Sequence, residues 1–281
     1  MKNKNMRKKL LRKTKITVSA MTLIFTISLL TACSKPESAG MIIAGSTSVQ
    51  PYAEVLAEEY MIDNPDSPID IQGGGSSAGI TAAQTESAQI GMSSRSLHED
   101  ELDLWQVEIA MDGLVLIVNP NNPIEGLRLD QIRDIYSGKI TKWSQVGGQD
   151  SELHLIAREE GSGTRDAFIE LVMDEVEITP KAIVQDSNGS VMQLVSGDSN
   201  AIGFISLGLL NDQIKALALD GVEAKGENII NGTYTLARPF LFVSKGEPTG
   251  RAKSFIDFTL SSEGQKILSD EGLISIVEEV N

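Results

Sequence analysis

The chain has 281 residues, with 39 acidic and 24 basic side chains and a formal net charge of −15 at pH 7. This acidic balance argues against nucleic acid or an anionic lipid surface as a partner, because both repel negative charge. The length allows two domains of modest size. One cysteine and two histidines exclude a disulfide framework and disfavour a metal site, so neither a metal nor another cofactor is expected.

The N-terminal segment predicts export and lipid attachment. Lysines and arginines crowd the start, the apolar stretch ITVSAMTLIFTISLL follows, and it ends in Leu-Thr-Ala-Cys. This order is typical of a secretory signal peptide, and its last four residues resemble the lipobox of bacterial lipoproteins. We expect residues 1–32 to be removed, Cys33 to carry lipid and residues 33–40 to form a tether, holding the protein extracytoplasmically on the membrane of a Gram-positive cell. A retained transmembrane anchor is the alternative, although the stretch is short for a span of about 20 residues.

Short β-branched runs then alternate with helical patterns. The runs MIIAGS, IDIQG, AQIGMSS, LHLIA and AIGFIS are each followed by apolar residues at helical spacing. This alternation predicts an α/β fold in which helices cover both faces of parallel strands. The predicted helices cover residues 52–60, 78–84, 97–104, 165–172 and 209–217.

Two longer apolar strands, Met111–Pro120 and Ala237–Gly246, indicate how the chain is divided. Each is almost continuously apolar and is closed by turn residues. If both strands cross between two α/β domains, residues 41–117 and 238–281 form domain I, residues 118–237 form domain II, and the two strands are the hinge. The alternative is that they are central strands of one larger domain.

Four turns rich in Gly, Ser and Thr follow predicted strands and precede helical patterns. They read GSTS from Gly45, GGGSS from Gly73, GMSSR from Gly91 and GSGT from Gly161. Glycines let the backbone approach a ligand, hydroxyls donate hydrogen bonds, and helix N-termini favour negative charge. One such turn could be a simple helix N-cap. Because ligands of open α/β sheets bind at the carboxyl ends of strands, four turns together predict an anion site.

The order of these turns, with Arg-x-x-Gly-Ser-Gly-Thr beginning at Arg158, resembles the PstS family, the phosphate-binding subunits of bacterial phosphate ABC importers. The resemblance covers essentially the whole chain after the signal segment. It implies the two-domain fold of type II periplasmic binding proteins, one bound inorganic phosphate, permease subunits of an ABC transporter as partners, and no enzymatic activity. The phosphate-binding residues expected from the matched motifs and the GMSSR turn are Thr47, Ser48, Ser76, Ser94, Arg95, Arg158, Ser162, Gly163 and Thr164.

One expected position departs from the family. Many members have an Asp where this chain has Ser94. Near neutral pH phosphate keeps a proton and can donate a hydrogen bond, whereas sulfate only accepts, so a carboxylate facing the ligand rejects sulfate. Glu159 or Glu160 could supply that carboxylate, although Glu160 could instead orient Arg158. The residues alone therefore leave sulfate and molybdate open as alternative ligands.

Other chemistry fits the sequence less well. Residues Gly75–Gly79 match the G-x-S-x-G nucleophile elbow, which would make Ser77 the nucleophile of a hydrolase. The required histidine is hard to supply, because His98 lies among carboxylates and His154 alternates within a strand. A loose dinucleotide fingerprint at Gly73 lacks its acidic residue about 20 positions later. A phosphate-sensing or adhesive lipoprotein would use the same site.

Overall fold

A mixed β-sheet runs through residues 40–174 and 176–276, the part of the chain that the computed structural model describes. Its strands, with two short ones beside it, are β1 (Met41–Gly45), β2 (Ile69–Gly73), β3 (Ile90–Ser93), β4 (Trp105–Val118), β5 (Gly126–Leu127), β6 (His154–Arg158), β7 (Ile183–Gln185), β8 (Ala201–Ser206), β9 (Lys215–Ala216), β10 (Ala218–Leu219) and β11 (Ala237–Ser244). The α-helices are α1 (Gln50–Asp63), α2 (Ser76–Gln84), α3 (Leu129–Tyr136), α4 (Gly163–Phe168), α5 (Asn188–Gly197), α6 (Gly226–Ile230), α7 (Gly250–Thr259) and α8 (Ser262–Asp270).

The sheet has two parallel parts joined by antiparallel strands. Its order is β2-β1-β3-β11-β4-β8-β6-β7. Strands β2, β1 and β3 are parallel to one another, as are β8, β6 and β7. Between them, β11 is antiparallel to β3 and β4, and β4 is antiparallel to β8. The expected α/β architecture with parallel strands is therefore confirmed.

Strand β4 passes from one half of the sheet to the other. Its residues from Trp105 to Gly113 pair with β11, and those from Leu114 to Val118 pair with β8. We call the half built on β1–β3 and β11 lobe I and the half built on β6–β8 lobe II. The two-domain architecture with two long crossing strands is confirmed, and movement of the lobes about these strands stays a prediction. The exact predicted division, after residue 117 and before residue 238, stays a prediction.

Each lobe has its own buried core. In lobe I, helix α1 buries an apolar stripe that includes Tyr52 and Leu56. This stripe shares one core with Phe240 of β11 and Phe255 of α7. In lobe II Phe168 stacks on Phe204 with 4.1 Å between ring centroids, and Tyr136 meets both rings. These cores fix the sheet halves on which the turns are mounted, because interiors are close-packed and resist displacement.

Two expected helices differ in the structure. Residues 209–217 form no α-helix: a short 3₁₀ turn ends at Leu209, and the chain then turns into β9. Ile214 and Leu217 are nevertheless buried, so the apolar spacing there reflects core contacts of a loop. Residues 97–104 contain only a 3₁₀ turn at Glu99–Glu101, since the Glu101 carboxylate accepts from the His98 N–H and ties the segment into a turn.

Within residues 40–174 and 176–276, no helix has both the length and the apolar character needed to cross a membrane. The predicted signal peptide, Cys33 and nearly all of the predicted tether lie outside the described residues.

Candidate anion-binding site

The predicted turns converge at the carboxyl ends of their strands, where the two lobes meet. The Ser77 N–H of lobe I donates to the Gly161 carbonyl of lobe II over 3.0 Å. The hydroxyls of Ser48 and Thr164 lie 2.8 Å apart across the same boundary. The turns that follow β1, β2 and β6 thus form one continuous polar surface between the lobes.

Glycines permit this close approach. Gly75 has a φ of +89°, and a Cβ there would lie 3.0 Å from the Gly161 carbonyl oxygen. A Cβ on Gly163 would lie 2.1 Å from Ser76 Oγ and 2.7 Å from Ser94 Oγ. Any side chain at position 163 would therefore displace the hydroxyls of lobe I.

Ser76 and Ser94 belong to one buried cluster of hydroxyls. The Ser46 hydroxyl donates to Ser94 Oγ over 2.9 Å, and the Ser94 N–H donates to Ser76 Oγ over 3.1 Å. All three side chains are buried. Ser46 was not among the expected site residues, although it stands inside the GSTS turn.

Helix N-termini add positive partial charge here. Helix α2 begins directly after Gly75, and α4 begins after Ser162, whose Oγ accepts the Arg165 N–H over 3.3 Å. The Ser162 O–H can still donate to a ligand, because accepting uses only a lone pair. Both helix ends therefore favour an anion between them.

Arg158 reaches this surface from the end of β6 and is 1 % exposed. Its Nε and Nη2 donate to both carboxylate oxygens of Glu159, over 2.9 and 2.8 Å, and Nη2 also lies 3.3 Å from Thr47 Oγ1. Glu159, not the exposed Glu160, is thus the carboxylate that orients Arg158. Within the described residues, Arg158 Nη1 has no hydrogen-bond partner.

Arg238 is a second buried cation that sequence analysis missed. It stands on β11 directly opposite Asp112 of β4, and its Nε and Nη2 donate to Asp112 Oδ2 over 3.0 and 2.9 Å. Nη2 also donates to Ser48 Oγ over 3.2 Å, whereas Nη1 has no partner in the described part of the chain. Burial lowers the pKa of Arg238; Asp112 opposes that shift and the charge of Arg158 adds to it.

The Asp112 carboxylate is held by groups from both lobes. Burial raises the pKa of Asp112, and the guanidinium of Arg238 together with the Ser206 hydroxyl, 2.8 Å from Oδ1, opposes the shift. The sequence carried a signal for this pair, since a charged residue interrupts each of the two long apolar strands.

Asn188, the first residue of α5, is also buried against Thr47 and Ser48. Sequence reasoning missed it, because a lone Asn after a Ser is typical of a helix cap.

Arg95 was expected as a ligand, but the structure gives its donors other partners. Nη1 and Nη2 donate to the two carboxylate oxygens of Glu101 over 2.7 and 2.9 Å, and Nε donates to Asp166 over 2.9 Å. The Ser96 carbonyl and Ser77 Oγ take the remaining N–H groups. All five donors of the guanidinium are thereby occupied. The expectation for Arg95 is therefore corrected: its guanidinium links the lobes and is not offered to a ligand.

The hydrolase alternative finds no support in the geometry. The Ser77 hydroxyl lies 3.3 Å from Arg95 Nη2, and neither histidine bonds to it among the described residues. His154 instead lies against Asp198, 2.5 Å away. Across those same residues, no group of three or more His, Cys, Asp and Glu side chains is placed to hold a metal ion.

Two α/β lobes joined by crossing strands, with a polar site between them, define a solute-binding protein of the periplasmic-binding-protein type. A family model described as a PBP superfamily domain matches residues 31–263. The phosphate-binding protein PstS of Bacillus subtilis is 33% identical over 247 residues, which cover 86% of this chain and 82% of that protein. PstS of Borreliella burgdorferi is 29% identical, covering 90% of this chain and 97% of its own length. The chain belongs to the PstS family of phosphate-binding proteins.

Solved structures agree with this assignment. A Clostridium perfringens structure, described as a phosphate ABC transporter substrate-binding protein with bound phosphate, is 47% identical with a TM-score of 0.82. The alignment covers 85% of this chain and 100% of the Clostridium perfringens chain. An ABC-type phosphate transport receptor from Vibrio cholerae is 37% identical with a TM-score of 0.71, matching 83% of this chain and 99% of its own.

Proposed function

We propose that the protein captures inorganic phosphate between its two lobes and delivers it to an ABC importer. The observation that carries the proposal is the pair of buried guanidinium groups, Arg158 and Arg238. Each has an Nη1 without a partner in the described residues, and the two positive charges repel each other. An anion between them would take both donors and offset the repulsion.

The proposed ligand set combines this charge with neutral donors. Arg158 would give a charge-assisted hydrogen bond, and the turn at the start of α4 would give backbone N–H groups and hydroxyls. The set comprises Thr47, Ser48, Ser76, Ser94, Arg158, Ser162, Gly163 and Thr164 from the motifs, with Asn188 and Arg238 added from their contacts with Ser48.

Most of the ligand charge would be balanced by dipoles. Arg158 is already paired with Glu159 and Arg238 with Asp112, so the two ion pairs together contribute little net charge. Hydroxyls and backbone N–H groups then stabilise the anion without the long-range field that a lysine-rich site would produce. This suits a protein whose overall charge is −15. Binding of this kind makes and breaks no covalent bond, which is consistent with a transport protein and not an enzyme.

Calorimetric titration of the chain from residue 34 onward tests the proposal. Phosphate should bind with 1:1 stoichiometry, and sulfate and molybdate should bind more weakly or not at all. Absence of phosphate binding, or equal affinity for sulfate, would contradict it.

The proposal includes an extracytoplasmic location, with lipid on Cys33 as the membrane anchor and permease subunits as the partners that receive phosphate. Cys33→Ala should leave the protein soluble or unprocessed, and labelled fatty acid should mark only the unaltered chain. Failure of the unaltered chain to take up the label would contradict the anchor and leave the binding site untouched.

A further inference from the structure

The side-chain carbonyl of Asn188 is a buried hydrogen-bond acceptor inside the proposed site. Asn188 is 1 % exposed. Its Nδ2 donates to Ser48 Oγ over 3.0 Å and lies 3.5 Å from Thr47 Oγ1. Its Oδ1 accepts no hydrogen bond from any described residue. Because both atoms belong to one carboxamide, Oδ1 must lie beside the hydroxyls that Nδ2 contacts.

The structure places the Asn188 amide with its Nδ2 toward Ser48 Oγ. Arg238 Nη2 can only donate, and it lies 3.2 Å from Ser48 Oγ. The Asn188 amide donates to the same oxygen, so the two lone pairs of Ser48 are filled. The Ser48 hydrogen then points to Thr164 Oγ1, 2.8 Å away. The carbonyl of Asn188 is left without a donor, which costs free energy unless a ligand supplies one.

The carboxylates around the site already accept hydrogen bonds from other side chains. Both oxygens of Glu159 accept from Arg158, and the two oxygens of Asp112 accept from Arg238 and Ser206. Their negative charge is therefore already compensated by arginines, although the Glu159 oxygens each keep a lone pair. At the position where many PstS proteins carry an Asp, the hydroxyl of Ser94 is bonded to Ser46 and lies 3.4 Å from Ser76 Oγ.

We propose that Asn188 Oδ1 accepts a hydrogen bond from a protonated oxygen of the bound anion, and that this contact selects phosphate over sulfate. The inference rests on the proposed function. A protonated phosphate satisfies the buried carbonyl, whereas sulfate brings only oxygen lone pairs against it. A neutral amide oxygen thus performs the selection expected of a carboxylate, and it does so without adding negative charge to an anion site.

The test compares four tetrahedral anions against two variants. Phosphate and arsenate keep a proton near neutral pH, whereas sulfate and molybdate do not. Asn188→Ala removes the acceptor, and Ser76→Ala is the matched control because it removes one hydroxyl that would serve all four anions. Affinities are measured by calorimetry, with sulfate and molybdate also measured by competition against labelled phosphate.

Asn188→Ala should weaken phosphate and arsenate about tenfold or more, with sulfate and molybdate unchanged or stronger, while Ser76→Ala weakens all four alike. Equal losses for all four anions in Asn188→Ala, or unchanged phosphate affinity, would overturn the inference. Asn188→Asp keeps an acceptor and should keep the preference for phosphate, which separates lost selection from lost folding. If the unaltered protein bound no phosphate, the proposed function itself would fail.

Discussion

At the scale of single residues, the candidate site depends on guanidinium groups whose orientation is set by neighbouring carboxylates. Glu159 holds Arg158, Asp112 holds Arg238, and Glu101 with Asp166 holds Arg95. Among the described residues, Nη1 of Arg158 and Nη1 of Arg238 have no hydrogen-bond partner, whereas every guanidinium nitrogen of Arg95 has one. The same residue type therefore has two roles here, the proposed ligand contact of Arg158 and Arg238 and the lobe contact of Arg95, and only the fold distinguishes them.

Replacing Arg158 tests its proposed contact with the ligand. Arg158→Ala should weaken phosphate binding by roughly 30-fold or more, since truncating one member of a buried charge pair costs about 2–5 kcal/mol. Calorimetry measures the change. Arg128→Ala is the control, because Arg128 is exposed and pairs with Asp130, two residues along the chain. Equal affinity of Arg158→Ala and the unaltered protein would show that Arg158 does not touch phosphate.

At the scale of elements, the crossing strands carry a buried ion pair close to the point where β4 changes its partner from β11 to β8. Asp112→Leu should lower the free energy of unfolding by about 3–5 kcal/mol, because Arg238 is left buried without its partner. The double variant Asp112→Leu/Arg238→Met should recover most of that loss, since both charges are gone. Its phosphate affinity should stay low, because the donors of Arg238 are missing. Urea unfolding and calorimetry measure the two effects, and a double variant as unstable as the single one would contradict the account.

The turn after β3 should make part of the free energy of unfolding depend on pH. Burial would raise the pKa of Glu101, but the hydrogen bonds from Arg95 and from the His98 N–H lower it below its usual value of 4.5. A carboxylate with a lowered folded pKa stabilises the fold above its unfolded pKa, and that contribution is lost as pH falls through the folded pKa.

Glu101→Gln should therefore lower the free energy of unfolding at pH 7 by about 1–3 kcal/mol. It should also flatten the loss of stability between about pH 5 and about pH 3. Urea unfolding at several pH values measures both, with the exposed neighbour Glu99→Gln as the control. Parallel pH profiles for Glu101→Gln and the unaltered protein would count against this role.

Local patterns predicted most helices and strands, because the spacing of apolar residues that distinguishes them is set by residues close together in the sequence. The turns at Gly45, Gly73 and Gly161 were placed correctly for the same reason. The pattern failed at residues 209–217, where burial of Ile214 and Leu217 in a loop imitates a helix. Arg238 contacts Asp112 at a separation of 126 positions, and Asn188 contacts Ser48 at 140. The Asn188–Ser48 contact exists only once the two lobes have met, and the Arg238–Asp112 pair only once β4 and β11 have paired. A charged residue in each long strand therefore marked a position of interest, but no local pattern could identify its partner.

At the scale of the whole molecule, contacts between the turns of the two lobes indicate a closed arrangement. The Arg95–Asp166 ion pair and the Ser77–Gly161 hydrogen bond both cross the boundary. Phosphate would add contacts that only this arrangement can make, so it should shift the population toward closure. Small-angle scattering should show a smaller radius of gyration with phosphate, and Arg158→Ala should show little change at the same concentration. Identical curves for the unaltered protein would argue against a hinge.

Phosphate should bind between the lobes at the carboxyl ends of β1, β2 and β6. A crystal structure of the protein grown in phosphate tests it most directly. We expect one phosphate with its oxygens about 2.7–3.2 Å from Nη1 of Arg158 and from the Thr164 hydroxyl. A phosphate bound elsewhere, with Arg158 Nη1 still unpartnered, would contradict it.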